Sequence, residues 1–65
     1  MEILTWQARR KRGLTLQQLE ALTGIGKTTL NNIENGRVSP TLKQLETIAR
    51  ALDMHINDLY ESEYK

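Results

Sequence analysis

The sequence predicts an all-α fold: a compact bundle of five short helices in a single unit spanning residues 1–65. Three observations carry this. Apolar residues recur at three- and four-residue spacing, with no alternating stretch that would suggest a strand. Glycine stops the pattern at Gly13, Gly24 and Gly36, each just past a periodic segment. Finally, Thr15 with Gln18 and Thr41 with Gln44 have the spacing of capping boxes, in which a threonine hydroxyl and a glutamine amide each satisfy an orphan N–H at a helix start.

The first helix is expected over roughly Leu4–Arg12, ending at Gly13. The second begins after the Thr15 cap and carries Leu16, Leu19 and Leu22. Thr23-Gly24-Ile25 then forms a three-residue turn, where glycine accommodates the left-handed backbone that ends one helix and lets the chain swing into the next. The third helix, about Lys27–Asn35, buries Leu30 and Ile33. The fourth carries the strongest stripe, with Leu42, Leu45, Ile48, Ala49 and Leu52 on one face. A fifth, about Ile56–Glu61, contributes Ile56 and Leu59, and Trp6 is expected to cover the core between the first and fifth helices.

Composition excludes several classes of function. A 65-residue chain buries only about 60% of its unfolded surface, enough for one core but not for a deep substrate pocket. No apolar run is long enough for a membrane span or a secretory signal. Cysteine is absent, which removes disulfides, thiolate metal sites and cysteine nucleophiles, and a reducing compartment suits such a chain. His55 is the only histidine and reads as a cap or surface residue. Gly24-Ile25-Gly26-Lys27-Thr28 resembles only the tail of a phosphate-binding loop and follows no strand. No enzyme activity, metal, cofactor or small-molecule ligand is expected.

The charge is divided along the chain. Residues 1–43 carry Arg9, Arg10, Lys11, Arg12, Lys27, Arg37 and Lys43 against Glu2, Glu20 and Glu34, a balance of +4. Residues 44–65 carry Arg50 and Lys65 against Glu46, Asp53, Asp58, Glu61 and Glu63, a balance of −3. A basic half suits a polyanion. The third helix begins with Lys27 and Thr28 and presents Asn31 and Asn32 one turn later. Asparagine pairs with the N6/N7 edge of adenine, lysine reaches guanine O6/N7, and threonine serves a base or a phosphate. A lysine in a first helical turn opposes the helix dipole, a cost that a facing polyanion offsets.

Taken in order, Gly13-Leu14-Thr15-Leu16, Leu19…Leu22-Thr23-Gly24-Ile25, Leu30…Ile33-Glu34-Asn35-Gly36 and Pro40-Thr41-Leu42…Leu45…Ile48-Ala49…Leu52 resemble the Cro/repressor helix-turn-helix family, also called xenobiotic-response-element-like. The resemblance runs from about Leu4 to Tyr60. It implies a five-helix, lambda-repressor-like domain in which the second and third helices form the helix-turn-helix. The third helix enters the major groove of double-stranded DNA, usually as a homodimer on a palindrome. Carried over by position, Lys27, Thr28, Asn31 and Asn32 fall at the base-reading places. Arg9, Gln17, Asn35, Arg37, Thr41 and Lys43 fall where phosphates are gripped, and Leu59, Tyr60 and Tyr64 at the core edge or a dimer contact. Arg9 is also implied to pair with Glu34.

The implied function is a sequence-specific transcriptional regulator acting as a repressor in the cytoplasm of a bacterium or phage-infected cell, associated with the nucleoid. The alternative is a protein-interaction module of the same fold, an antitoxin or bridging factor. Three features depart from the family pattern: Leu16, Glu20 and the run Arg9-Arg10-Lys11-Arg12, which is denser in cations than usual. Leu16 stands where many members carry a phosphate-binding glutamine. Glu20 replaces a usual alanine at the crossing of the second and third helices, where its carboxylate is expected to accept from the Gly26–Thr28 amides or to pair with Lys27. Lys11 and Arg12 are expected on an exposed face.

Overall fold

Gly24 sits at φ 74°, Gly13 and Gly36 adopt the same left-handed conformation, and the helices break at these points as the sequence dictates. The structure is a computed structural model that describes residues 1–65. It contains four α-helices rather than five: α1 Thr5–Lys11, α2 Leu16–Thr23, α3 Lys27–Glu34 and α4 Leu42–Leu52. The expected fifth helix is a single 3₁₀ turn, Ile56–Leu59, followed by extended chain. Ile56 and Leu59 are three apart, a spacing that a three-residue turn satisfies as well as an α-helix. Asn57 and Asp58 between them compete for backbone hydrogen bonds and disfavour a longer helix.

The fold is also not purely helical. Strand β1, Glu2–Ile3, pairs antiparallel with β2, Tyr60–Glu61, in the register Glu2 to Glu61 and Ile3 to Tyr60. The Leu4 N–H extends the pairing by donating to the Leu59 carbonyl at 2.8 Å. Two-residue strands carry no alternation to read, and their partners lie at opposite ends of the chain.

Both capping boxes are formed. The Gln18 N–H donates to Thr15 Oγ1 (3.1 Å), and the Thr15 N–H donates to Gln18 Oε1 (2.8 Å). The Thr41 and Gln44 pair repeats this at 3.0 and 2.9 Å.

The core gathers Ala8 of α1, Leu19 of α2, Leu30 of α3, and Leu45, Ile48, Ala49 and Leu52 of α4 over Leu59, with Ile33 also buried. Two residues expected in it lie outside. Leu22 is 59% exposed, because residues three apart on a 100° helix drift by about 60° per step, leaving Leu19 central and Leu22 at the margin. Leu42 is 77% exposed. It opens α4, and a first-turn side chain leans toward the helix N-terminus, past the end of the packed layer.

Trp6 is a further correction. It is 47% exposed and forms no cover over the core. The segment that should have received it is an extended strand bound to β1, so the indole stays at the surface beneath the Arg10 guanidinium, 5.4 Å from the ring centroid. Arg12 is bonded to the end of α4: its Nε donates to the Leu52 carbonyl at 2.7 Å and its Nη2 to the Asp53 carbonyl at 3.1 Å. Arg12 is exposed, as expected, and from there satisfies the open carbonyls at the α4 C-terminus and ties α1 to it.

Candidate nucleic-acid interface

α3 is held from beneath by Leu30 and Ile33, both essentially fully buried. That anchorage fixes its rotation, so Lys27 and Thr28 stand exposed at its start, and Asn31 and Asn32 lie half-buried one turn later. Gly26 precedes the helix and has no side chain to cap it. The missing acceptor comes from α2: Glu20 Oε2 accepts the Lys27 N–H at 2.9 Å. Of the two expected arrangements for Glu20, the amide bond is the one formed, and no ion pair joins it to Lys27.

The turn between the helices is tied internally. Thr23 Oγ1 donates to the Leu19 carbonyl at 2.7 Å and accepts the Ile25 N–H at 3.1 Å, while the Gly24 N–H donates to the Glu20 carbonyl at 2.8 Å. These bonds fix α3 relative to α2, and with it the direction of its exposed face.

Arg9 is engaged within the protein. It is 8% exposed. Its Nε and Nη2 donate to the two oxygens of Glu34 at 2.7 and 3.0 Å, and its Nη1 donates to the Leu14 carbonyl at 2.8 Å. This bidentate pair locks α1 to α3, and with the Leu14 contact it engages all three guanidinium nitrogens. Arg10, next in the chain and exposed, takes its place at the surface. It lines one open cleft with Arg9, Gln17 and Lys27, at the N-terminal end of α2. The run Arg9–Arg12 signals a cation here, but the side of α1 on which each arginine falls decides which one remains free.

The other flanking residues divide in the same way. Gln17, Arg37 and Lys43 are exposed. Asn35 is exposed, and its Nδ2 donates to Asn31 Oδ1 at 3.3 Å, which fixes the Asn31 amide. Thr41 Oγ1 serves as a helix cap and keeps only its hydroxyl hydrogen to offer. At the far end, Leu59 lies wholly within the core and presents no side chain to a partner. Tyr60 is half-buried under Lys65, whose Nζ donates to the Tyr60 carbonyl at 2.9 Å. Tyr64 is 89% exposed. No helix is long and apolar enough to cross a membrane.

Residues 7–59 match the family model described as helix-turn-helix. The chain belongs to that family. An HTH-type transcriptional regulator from Methanothermobacter thermautotrophicus is 38% identical over 61 residues, covering 92% of this chain and 88% of the relative. The SPbeta prophage-derived HTH-type transcriptional regulator YopS of Bacillus subtilis is 36% identical over 53 residues, covering 80% of this chain and 72% of the relative. Among solved structures, the N-terminal DNA binding domain of SinR from Bacillus subtilis superposes with a TM-score of 0.80 at 26% identity, covering 94% of this chain and 90% of that one. The helix-turn-helix is formed by α2 and α3, and the family is one of transcriptional regulators rather than enzymes.

Proposed function

We propose that this chain is a sequence-specific regulator of transcription that binds double-stranded DNA, with α3 in the major groove. The observation that carries the reading is the make-up of α3: two buried anchors, Leu30 and Ile33, beneath Lys27, Thr28 and Asn32, which present hydrogen-bonding groups at a helix start fixed by Glu20. Asn31, held by Asn35, borders that face. Arg10, Gln17, Asn35, Arg37, Thr41 and Lys43 grip the flanking phosphates, with Arg10 replacing the sequestered Arg9. Such contacts set register and supply salt-dependent affinity. The likeness to the SinR DNA binding domain supports DNA binding.

Residues 1–65 act as one unit, repressing transcription as a homodimer at the nucleoid. The dimer contact is carried by Tyr64 with the exposed edge of Tyr60, since Leu59 is spent in the core. The test is selection from a random duplex library at physiological salt. A palindrome with half-sites about one helical turn apart is the expected outcome. Weak binding without a motif, vanishing as salt rises, would assign the chain to protein interaction instead.

A further inference from the structure

A helix that follows glycine begins with N–H groups that no side chain at the cap accepts, and such an end ordinarily attracts an anion. In α3 this end is already occupied. Glu20 reaches across from α2, and its Oε2 takes the Lys27 N–H at 2.9 Å. Its other oxygen, Oε1, has no hydrogen-bond partner within the protein. The only two ion pairs in the molecule join Arg9 to Glu34 and Lys65 to Glu61, so the Glu20 carboxylate is not neutralised and the Lys27 ammonium is not consumed by it. The first residue of α3 therefore carries a cation that only donates, and the carboxylate bonded to its backbone N–H only accepts.

We propose that Glu20 is a specificity-determining residue of the recognition surface, accepting a hydrogen bond from the cytosine N4 amino group. With Lys27 on the guanine O6 and N7 of the same base pair, it would specify one G·C pair per half-site, in one orientation. The proposal rests on α3 being the major-groove helix. In that groove guanine shows two acceptors, adenine an acceptor and an amino donor, thymine an acceptor and a methyl, and cytosine an amino donor. A carboxylate gains from the amino group and is repelled by phosphate oxygens and by acceptor-only edges. A lysine gains from the acceptors beside it. A lysine spanning both guanine acceptors with a carboxylate on the adjacent amino group complements a G·C pair. Set one atom over, the same two groups would meet adenine N7 and N6, so enrichment of an A·T pair at that position would overturn the assignment. The amide bond from Lys27 holds the carboxylate in place before DNA arrives, so little conformational freedom is lost on contact.

The experiment compares library selection by the wild-type protein, Glu20→Gln and Glu20→Ala, with melting curves for all three. Glutamine keeps the length of the side chain and an oxygen for the Lys27 N–H, so Glu20→Gln should melt close to wild type. It also adds an NH₂ donor and removes the charge. The wild type should enrich a G·C pair at one position of each half-site. In Glu20→Gln that preference should fall by roughly tenfold at that position alone, while affinity for unrelated duplex rises. In Glu20→Ala the preference should be absent and the melting temperature lower. A Glu20→Gln motif identical to wild type would overturn the proposal and leave Glu20 as a helix cap only. A wild-type protein that enriches no motif would overturn the major-groove reading itself, and this inference with it.

Discussion

Lys43 and Asn32 illustrate how two polar side chains on one surface differ in the work assigned to them. Asn32 lies on α3 above the buried Ile33, with an amide that can pair with a base edge, whereas Lys43 lies exposed in the first turn of α4 as a mobile point charge. Asn32→Ala should cost about 1–3 kcal/mol on the preferred site and relax the preference at one base pair. Lys43→Ala should weaken all duplexes alike, and binding curves on matched and scrambled sites separate the two. Glu34 belongs to a different class. Its side chain is only 3% exposed, and both its oxygens accept from Arg9. Glu34→Ala would leave a nearly buried guanidinium without its partner, a loss of about 3–5 kcal/mol. Stability of that order is most of what a domain this small possesses, so the variant should be largely unfolded by circular dichroism at room temperature. Much of this scale was legible in the sequence. The lack of a cap at Gly26 and the carboxylate at Glu20 together pointed to the Glu20–Lys27 bond. The Arg9–Glu34 pair that the family resemblance implies is formed, whereas the bonds of Arg12 to the α4 carbonyls were not legible, because an arginine run does not reveal what each member will meet.

Several helix ends in this molecule are set by chemistry within four residues, and these were legible in the sequence. The Thr15–Gln18 and Thr41–Gln44 boxes are local, and so is the glycine stop at Gly24. The end of α4 has no glycine. Asp53 occupies the left-handed position there at φ 54°, the only non-glycine residue of the chain to do so. A side chain in that conformation crowds the following carbonyl. The Arg12 contact engages only the backbone carbonyl of Asp53 and would survive its replacement. Asp53→Gly should therefore stabilise the fold by up to about 1 kcal/mol, read as a higher urea midpoint with unchanged slope. The elements that escaped the sequence are those defined by distant partners. The β1–β2 pairing joins the two ends of the chain, and it is this pairing that turns residues after Leu59 extended and leaves Trp6 at the surface. Tertiary pairing overrode a local apolar spacing that suited a helix equally well.

Across the whole molecule, the division of charge along the sequence becomes a quantitative statement about assembly on DNA. The protomer offers three exposed cations for phosphates around α3, namely Arg10, Arg37 and Lys43, while Arg9 is buried in its pair with Glu34 and Arg12, though exposed, is bonded to the α4 carbonyls. Each phosphate neutralised releases condensed counterions, giving a slope of log affinity against log salt of about −0.9 per contact. Three contacts from a lone protomer predict a slope of about −2.7, and six from a two-fold dimer about −5.4. The two stoichiometries are therefore distinguishable in a titration from low to physiological salt, independently of any motif. The dimer value is the expected one. Tyr64→Glu places a charge on the most exposed aromatic of the far end and should drive the slope toward the monomer value, because two protomers that no longer cohere contribute their contacts separately. Were the slope to stay near −5.4 in that variant, the protomers would have to meet elsewhere than at Tyr64. Lys11→Ala serves as the internal control. Lys11 is exposed at the end of α1 and lies outside the cleft shared by Arg10, Gln17 and Lys27, so its removal should leave the slope unchanged, whereas Arg10→Ala should reduce it by about 1.8 in the dimer.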